Sequence, residues 1–194
     1  MKLLLLLLSL GLGLACAQGD SGEAPVQPDF QSEKALGPPV GPSLQVAPVL
    51  QVEGPWHTLE LGATDRSTIE EGGAYRCFLT SIRNLANRNL HVTYFQKNND
   101  GKCVEDFFIG EETDTPGRYT FEYKGKNVLT FVAVGEDYVI MDYENIDLGL
   151  VVVELLARPP SLSPPGREAF RKYLSRRGIG PDAVEDLTVQ ARCP

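Results

Sequence analysis

From Trp56 onward, apolar residues alternate with polar ones in short runs instead of recurring every three or four positions. Alternation of this kind marks strands with one buried face. Runs at Trp56–Leu61, Tyr75–Ile82, Leu90–Phe95, Val104–Ile109, Tyr119–Tyr123, Val128–Val132, Tyr138–Tyr143 and Leu150–Leu156 predict eight strands. The gaps carry turn residues: Glu71-Gly72-Gly73, Asn98-Asn99-Asp100-Gly101, Thr115-Pro116-Gly117, Lys124-Gly125 and Asp147-Leu148-Gly149. Eight antiparallel strands joined by hairpins can close on themselves and leave no exposed edge. The period then changes. Phe170, Tyr173 and Leu174 recur at helical spacing behind Ser163, a plausible N-cap, and Pro164. A basic stretch through Arg177 precedes Gly178, which stops the helix. A short strand at Leu187–Val189 is expected before Cys193. The predicted fold class is all-β: an eight-stranded antiparallel up-and-down barrel with one C-terminal α-helix.

The start of the chain follows no such pattern. Lys2, the apolar run Leu3–Leu14 and Ala15-Cys16-Ala17 read as a secretory signal peptide over residues 1–17. The run is too short to span a bilayer, which takes ~20 residues of helix. Residues 18–53 hold Pro25, Pro28, Pro38, Pro39, Pro42 and Pro48 and read as an extended, mostly mobile arm. The expected layout is therefore a leader at 1–17, a Pro-rich arm at 18–53 and a barrel with helix and tail at 54–194. The expected product is secreted and extracellular.

Composition narrows the function. The 194 residues carry 18 Lys+Arg against 26 Asp+Glu, a formal charge of −8. Such a balance argues against binding to nucleic acid or to an anionic membrane surface, because both need a basic face. His57 and His91 are the only histidines and fall at unrelated places, so no metal set or Ser-His-Asp triad is visible and no cofactor is implied. The Asn98–Gly101 turn lacks the later Glu of a calcium loop. Loss of the leader removes Cys16 and leaves Cys77, Cys103 and Cys193, an odd number. One disulfide and one thiol is the simplest count, and counting leaves the pairing open.

Three local patterns in order add a resemblance. Gly54-Pro55-Trp56 is similar to the G-x-W that opens the first strand of lipocalins, Glu136-Asp137-Tyr138 to their T-D-Y, and Arg158 to the Arg that stacks on that Trp. Trp56-His57-Thr58-Leu59, Ile69–Gly73, Tyr75–Leu79 and the tail Val184–Leu187 with Arg192-Cys193 resemble the major urinary protein, odorant-binding and aphrodisin-like members. The resemblance implies a hollow barrel, a Cys103–Cys193 disulfide with Cys77 free, and structural roles for Gly54, Trp56, Tyr138 and Arg158. Two departures stand out. Asp29–Lys34 looks like the family's pre-strand segment, yet Gly37 to Gly54 intervene before the Trp, and Pro55 removes a strand donor.

Strand alternation anchored on that resemblance gives the inward side chains. They are Tyr75, Cys77, Leu79, Val92, Tyr94, Val104, Asp106, Phe108, Phe121, Tyr123, Leu129, Phe131, Val139, Met141, Tyr143, Val152, Glu154 and Leu156. Most are apolar, as a pocket for a small hydrophobic molecule needs, although an eight-stranded barrel can also be filled by its own side chains. Glu154 is the selectivity candidate. A carboxylate facing an apolar cavity needs a cation, hydrogen bonds or a proton, and would anchor an amine or hydroxyl; a register slip of one residue would turn it to the surface. The functional expectation is a carrier of an odorant-like, pheromone-like or lipid guest, with no receptor identifiable. A rival rests on resemblance to the lipocalin-type prostaglandin D synthase: Cys77 as a thiol nucleophile with Thr58 as a neighbouring hydroxyl, giving an isomerase. A third reading makes the Pro-rich arm an interaction module.

Overall fold

The computed structural model describes residues 24–27, 52–189 and 193. The expected signal peptide, the pre-strand segment Asp29–Lys34, the inserted stretch up to Gln51 and Arg192 lie outside the described residues.

Among the described residues, ten strands and one α-helix form in chain order: β1 (Gly54–Pro55), β2 (His57–Ala63), β3 (Cys77–Asn84), β4 (Leu90–Lys97), β5 (Cys103–Glu112), β6 (Arg118–Glu122), β7 (Lys126–Val134), β8 (Tyr138–Asn145), β9 (Leu150–Ala157), α1 (Pro164–Arg176) and β10 (Val184–Asp186). The sheet runs β1-β3-β4-β5-β6-β7-β8-β9-β2-β10, with every pair antiparallel. Only Trp56 separates β1 from β2, so one stretch of chain lies at both ends of that order and curls the sheet into a barrel. Trp56 and the added β10 account for ten strands where alternation predicts eight.

The turn residues act as their chemistry requires. Lys124 and Gly125 both take positive φ, which lets β6 run straight into β7. A Cβ on Gly125 would also stand 2.6 Å from the Asp147 carboxylate. At the other end of the barrel Gly54 has φ +118, and a Cβ there would stand 2.7 Å from the Arg158 guanidinium.

Strand β9 shows why alternation weakens in places. Val152, Glu154 and Leu156 face into the barrel, while Val153, Leu155 and Ala157 meet Phe170, Tyr173 and Leu174 of α1. Both faces are covered, so the sequence reads as a nearly unbroken apolar run. Ser163 caps α1 by accepting from the Gly166 N–H at 3.2 Å, and Gly178 takes φ +70 just past the helix. Arg177 extends the helix's grip, with Nε 3.0 Å from Asp142 and Nη2 2.6 Å from Glu144 on β8.

Two expectations need correction, and one short segment of the arm is placed. The tail strand is Val184–Asp186, not Leu187–Val189, because Thr188 folds back to donate to the Asp186 carboxylate through its N–H at 2.8 Å and its hydroxyl at 2.5 Å. Val104 and Asp106 are exposed, Val104 by 45%. Their strand β5 pairs with β6 only at Glu111–Thr120 and Glu112–Tyr119, so its first half has no neighbour on that side. Within the arm, Ala24–Gln27 is docked: the Gln27 N–H donates to the Phe131 carbonyl at 2.7 Å, and Arg118 donates to the Ala24 carbonyl.

Candidate functional site: the barrel cavity

The barrel interior divides into a packed half and a hollow half. In the packed half, Trp56, Leu129, Phe131, Val139, Met141 and Leu156 are essentially inaccessible and belong to one cluster. The Arg158 guanidinium lies 3.8 Å from the Trp56 ring centre and donates to the carbonyls of Pro55 at 3.1 Å and Glu53 at 2.9 Å. Trp56 Nε1 donates to the Val52 carbonyl at 2.6 Å. Asp137 accepts from the hydroxyls of Ser161 at 2.5 Å and Ser163 at 2.9 Å, so the Glu136-Asp137-Tyr138 corner holds the chain on its way to α1. These groups seal the floor.

Above them lies a cavity of about 50 Å³, lined by Leu61, Tyr75, Cys77, Leu79, Val92, Tyr94, Phe108, Phe121, Tyr123, Tyr143, Val152 and Glu154. On the measure in which one water takes ~10–15 Å³, this is room for several atoms of a guest. Eleven of the eighteen side chains expected to face inward stand on this wall. Leu129, Met141 and Leu156 do not: they are buried in the interior cluster, off the cavity wall. Leu61 was missed because β2 changes register between Thr58 and Glu60. That bulge lets Thr58 and Leu61 both serve the interior while Leu59 packs under α1. Phe108 and Phe121 stack at 4.1 Å and close from within the slot left where β5 and β6 part.

Glu154 faces the cavity and is 3% exposed, so the strand is in the expected register. Its Oε1 accepts from the Thr58 hydroxyl at 2.6 Å and its Oε2 from the Tyr143 hydroxyl at 2.7 Å. Thr58 in turn accepts from the Leu79 N–H at 2.9 Å. No cationic side chain among the described residues pairs with Glu154. Burial therefore dominates and raises its carboxyl to about 7, against the pull of the two hydroxyls.

Cys77 is the free thiol of the described chain. Burial first, then the negative charges of Glu154 and Asp106, push that thiol well above its ordinary value. A nucleophilic thiol needs the opposite, a cation or base that stabilises the thiolate. Thr58, its expected partner in the isomerase reading, spends its hydroxyl proton on Glu154.

At the hairpin end opposite the floor, a buried amide pair that alternation did not flag holds the rim. Asn145 Nδ2 donates to the Tyr75 hydroxyl at 2.9 Å, which donates to Asn127 Oδ1 at 3.1 Å. Asn127 Nδ2 donates to the carbonyls of Tyr123 at 2.7 Å and Gly125 at 2.8 Å. The Tyr123 hydroxyl donates to the Ala74 carbonyl at 2.5 Å. Their only sequence signal is an Asn beside a tight turn. Among the described residues, no cluster of three or more His, Cys, Asp or Glu could hold a metal ion. The expected disulfide is present: Cys103 on β5 is bonded to Cys193.

Comparison with known proteins agrees with this architecture. A family model described as the lipocalin / cytosolic fatty-acid binding protein family matches residues 53–191. The allergen Fel d 4 of Felis catus is 34% identical over 148 residues, covering 75% of this chain and 77% of its own. Major urinary protein 20 of Mus musculus is 31% identical over 200 residues, covering 100% of this chain and 97% of its own. Among solved structures, the possum milk whey lipocalin trichosurin, with bound 4-ethylphenol, superposes with a TM-score of 0.67 at 26% identity, covering 73% of this chain and 99% of that one. The chain is a member of the lipocalin / cytosolic fatty-acid binding protein family.

Proposed function

We propose that this protein is a secreted carrier that reversibly binds one small hydrophobic molecule, of odorant or pheromone size, in its barrel cavity. Residues 1–17 serve as the export leader, 18–53 as an arm and 54–194 as the binding domain. The observation that carries the reading is a cavity walled by aromatic and aliphatic side chains above a sealed floor. Burying about eight methylenes is worth roughly 6 kcal/mol before the entropy of association is subtracted, so the apolar part alone gives an affinity of tens of micromolar or weaker, and any tighter binding needs a polar contact. The 4-ethylphenol held by trichosurin is a small ring compound of the class such an aromatic wall suits, and entry of its nine heavy atoms requires the wall side chains to shift outward. Export is supported by the leader pattern, by the Cys103–Cys193 disulfide and by the likeness to a urinary protein.

Titration with a naphthalene-type fluorescent probe tests the reading. It requires a blue-shifted signal that saturates at one probe per chain and is reversed by 4-ethylphenol. A signal that never saturates, or that no small competitor reverses, contradicts it.

A further inference from the structure

The cavity wall is unusual in pairing many rings with a single charge. Six aromatic side chains, Tyr75, Tyr94, Phe108, Phe121, Tyr123 and Tyr143, surround the space that Glu154 faces. Each oxygen of the Glu154 carboxylate accepts one hydroxyl, from Thr58 or Tyr143. A carboxylate oxygen has two lone pairs, so each retains one acceptor site for a donor arriving from the cavity. Ring faces attract cations, and a cation within a few ångströms of an unpaired buried carboxylate gains more than it would in water.

We propose that the guest is a small primary amine, held as its ammonium ion on Glu154 with its hydrocarbon part against the aromatic wall. This rests on the carrier reading and names the chemical class of its guest. An ammonium group has three N–H donors and the opposite charge; an alcohol of equal size has one donor and no charge. The amine is therefore preferred over the alcohol by about tenfold or more when Glu154 is ionised.

Ionisation falls in an accessible range, because burial raises the carboxyl to about 7. The groups around it do not confuse the titration. Cys77 on β3, Tyr94 on β4, Tyr123 beyond β6 and Tyr143 on β8 are all pushed upward by burial and stay neutral near pH 7, as does Tyr75 at the rim. Asp106 on β5 adds a second negative charge that acts on Cys77. An ammonium guest binds the ionised form and a neutral guest needs no charge.

Calorimetric titration of the folded full-length mature protein with benzylamine and with benzyl alcohol, at pH 6 and pH 8, tests this. The expected result is benzylamine affinity about tenfold higher at pH 8 than at pH 6, with benzyl alcohol changing by less than about twofold. In Glu154→Gln the amine-to-alcohol ratio should fall toward one and the pH slope should vanish, with thermal unfolding in the same buffers reporting that the variant is folded. Should that variant not fold, the wild-type pH series decides alone. Saturable alcohol binding without amine preference or pH slope overturns the amine assignment and leaves the carrier reading standing. Saturable binding of neither compound overturns both.

Discussion

The Thr58 hydroxyl stands 2.6 Å from the Glu154 carboxylate, joining two residues 96 positions apart. It also accepts the Leu79 N–H at 2.9 Å, so one small side chain on β2 bridges β9 and β3 where the barrel closes on itself. Here a side chain carries the link between β2 and β3.

Thr58→Val keeps the shape and removes both bonds. The Leu79 N–H and one Glu154 oxygen are then left buried without their partner, at a cost of about 1–3 kcal/mol. Thr58→Ser should recover most of that loss. Urea unfolding of the three proteins measures it, and a Val variant as stable as wild type would contradict the bridging role.

Two buried carboxyls set the pH dependence of stability. Glu154 is raised from 4.5 to about 7, and Asp142, buried under Tyr173 and Arg177, from 3.8 to about 6. A carboxyl raised by folding keeps its proton longer in the folded chain than in the unfolded one. Between about pH 4.5 and 7 the folded state therefore binds more protons, and stability falls as pH rises through that window. Glu71 and Asp186 are lowered and act in the opposite sense, so the difference between wild type and Glu154→Gln isolates one group. The Gln variant should gain on wild type by up to roughly 3 kcal/mol between pH 5 and pH 8 in the absence of ligand. A difference that stays constant across the range would contradict the buried, unpaired carboxylate.

Cys77 separates carrier from thiol enzyme. Its raised pKa predicts alkylation by iodoacetamide at pH 7 at least about tenfold slower than in the urea-unfolded chain. Saturating the cavity with 4-ethylphenol should slow it further, since Cys77 lines the same wall. Labelling faster than in the unfolded chain would reopen the isomerase reading.

Much of this architecture is legible in the residues, and the exceptions have local causes. Alternation finds the strands from Leu90 to Leu156 because one face of each meets the interior and the other meets solvent or α1. It leaves out Leu61, on the strand where a bulge after Thr58 breaks the period of two. It makes Val104 and Asp106 inward because parity on β5 is correct, yet parity says nothing of β6 leaving β5 after two residue pairs. Leu129, Met141 and Leu156 are inward, yet they pack into the interior cluster and off the cavity wall, which parity alone does not decide. Glu154 is visible as an inward charge, but its partners are not. Thr58 and Tyr143 reach it only through the pairing of β9 with β2 on one side and β8 on the other.

Occupation of the space between Val152 and the aromatic wall by a small guest is what separates a carrier from a filled barrel. Its most direct test is a calorimetric titration of 4-ethylphenol into wild type and into Val152→Phe, whose added ring fills that space. One site per chain is expected in wild type and an affinity at least about tenfold weaker in the variant, with both proteins folded by circular dichroism. Equal affinity in the two folded proteins, or no saturable heat in wild type, would contradict it.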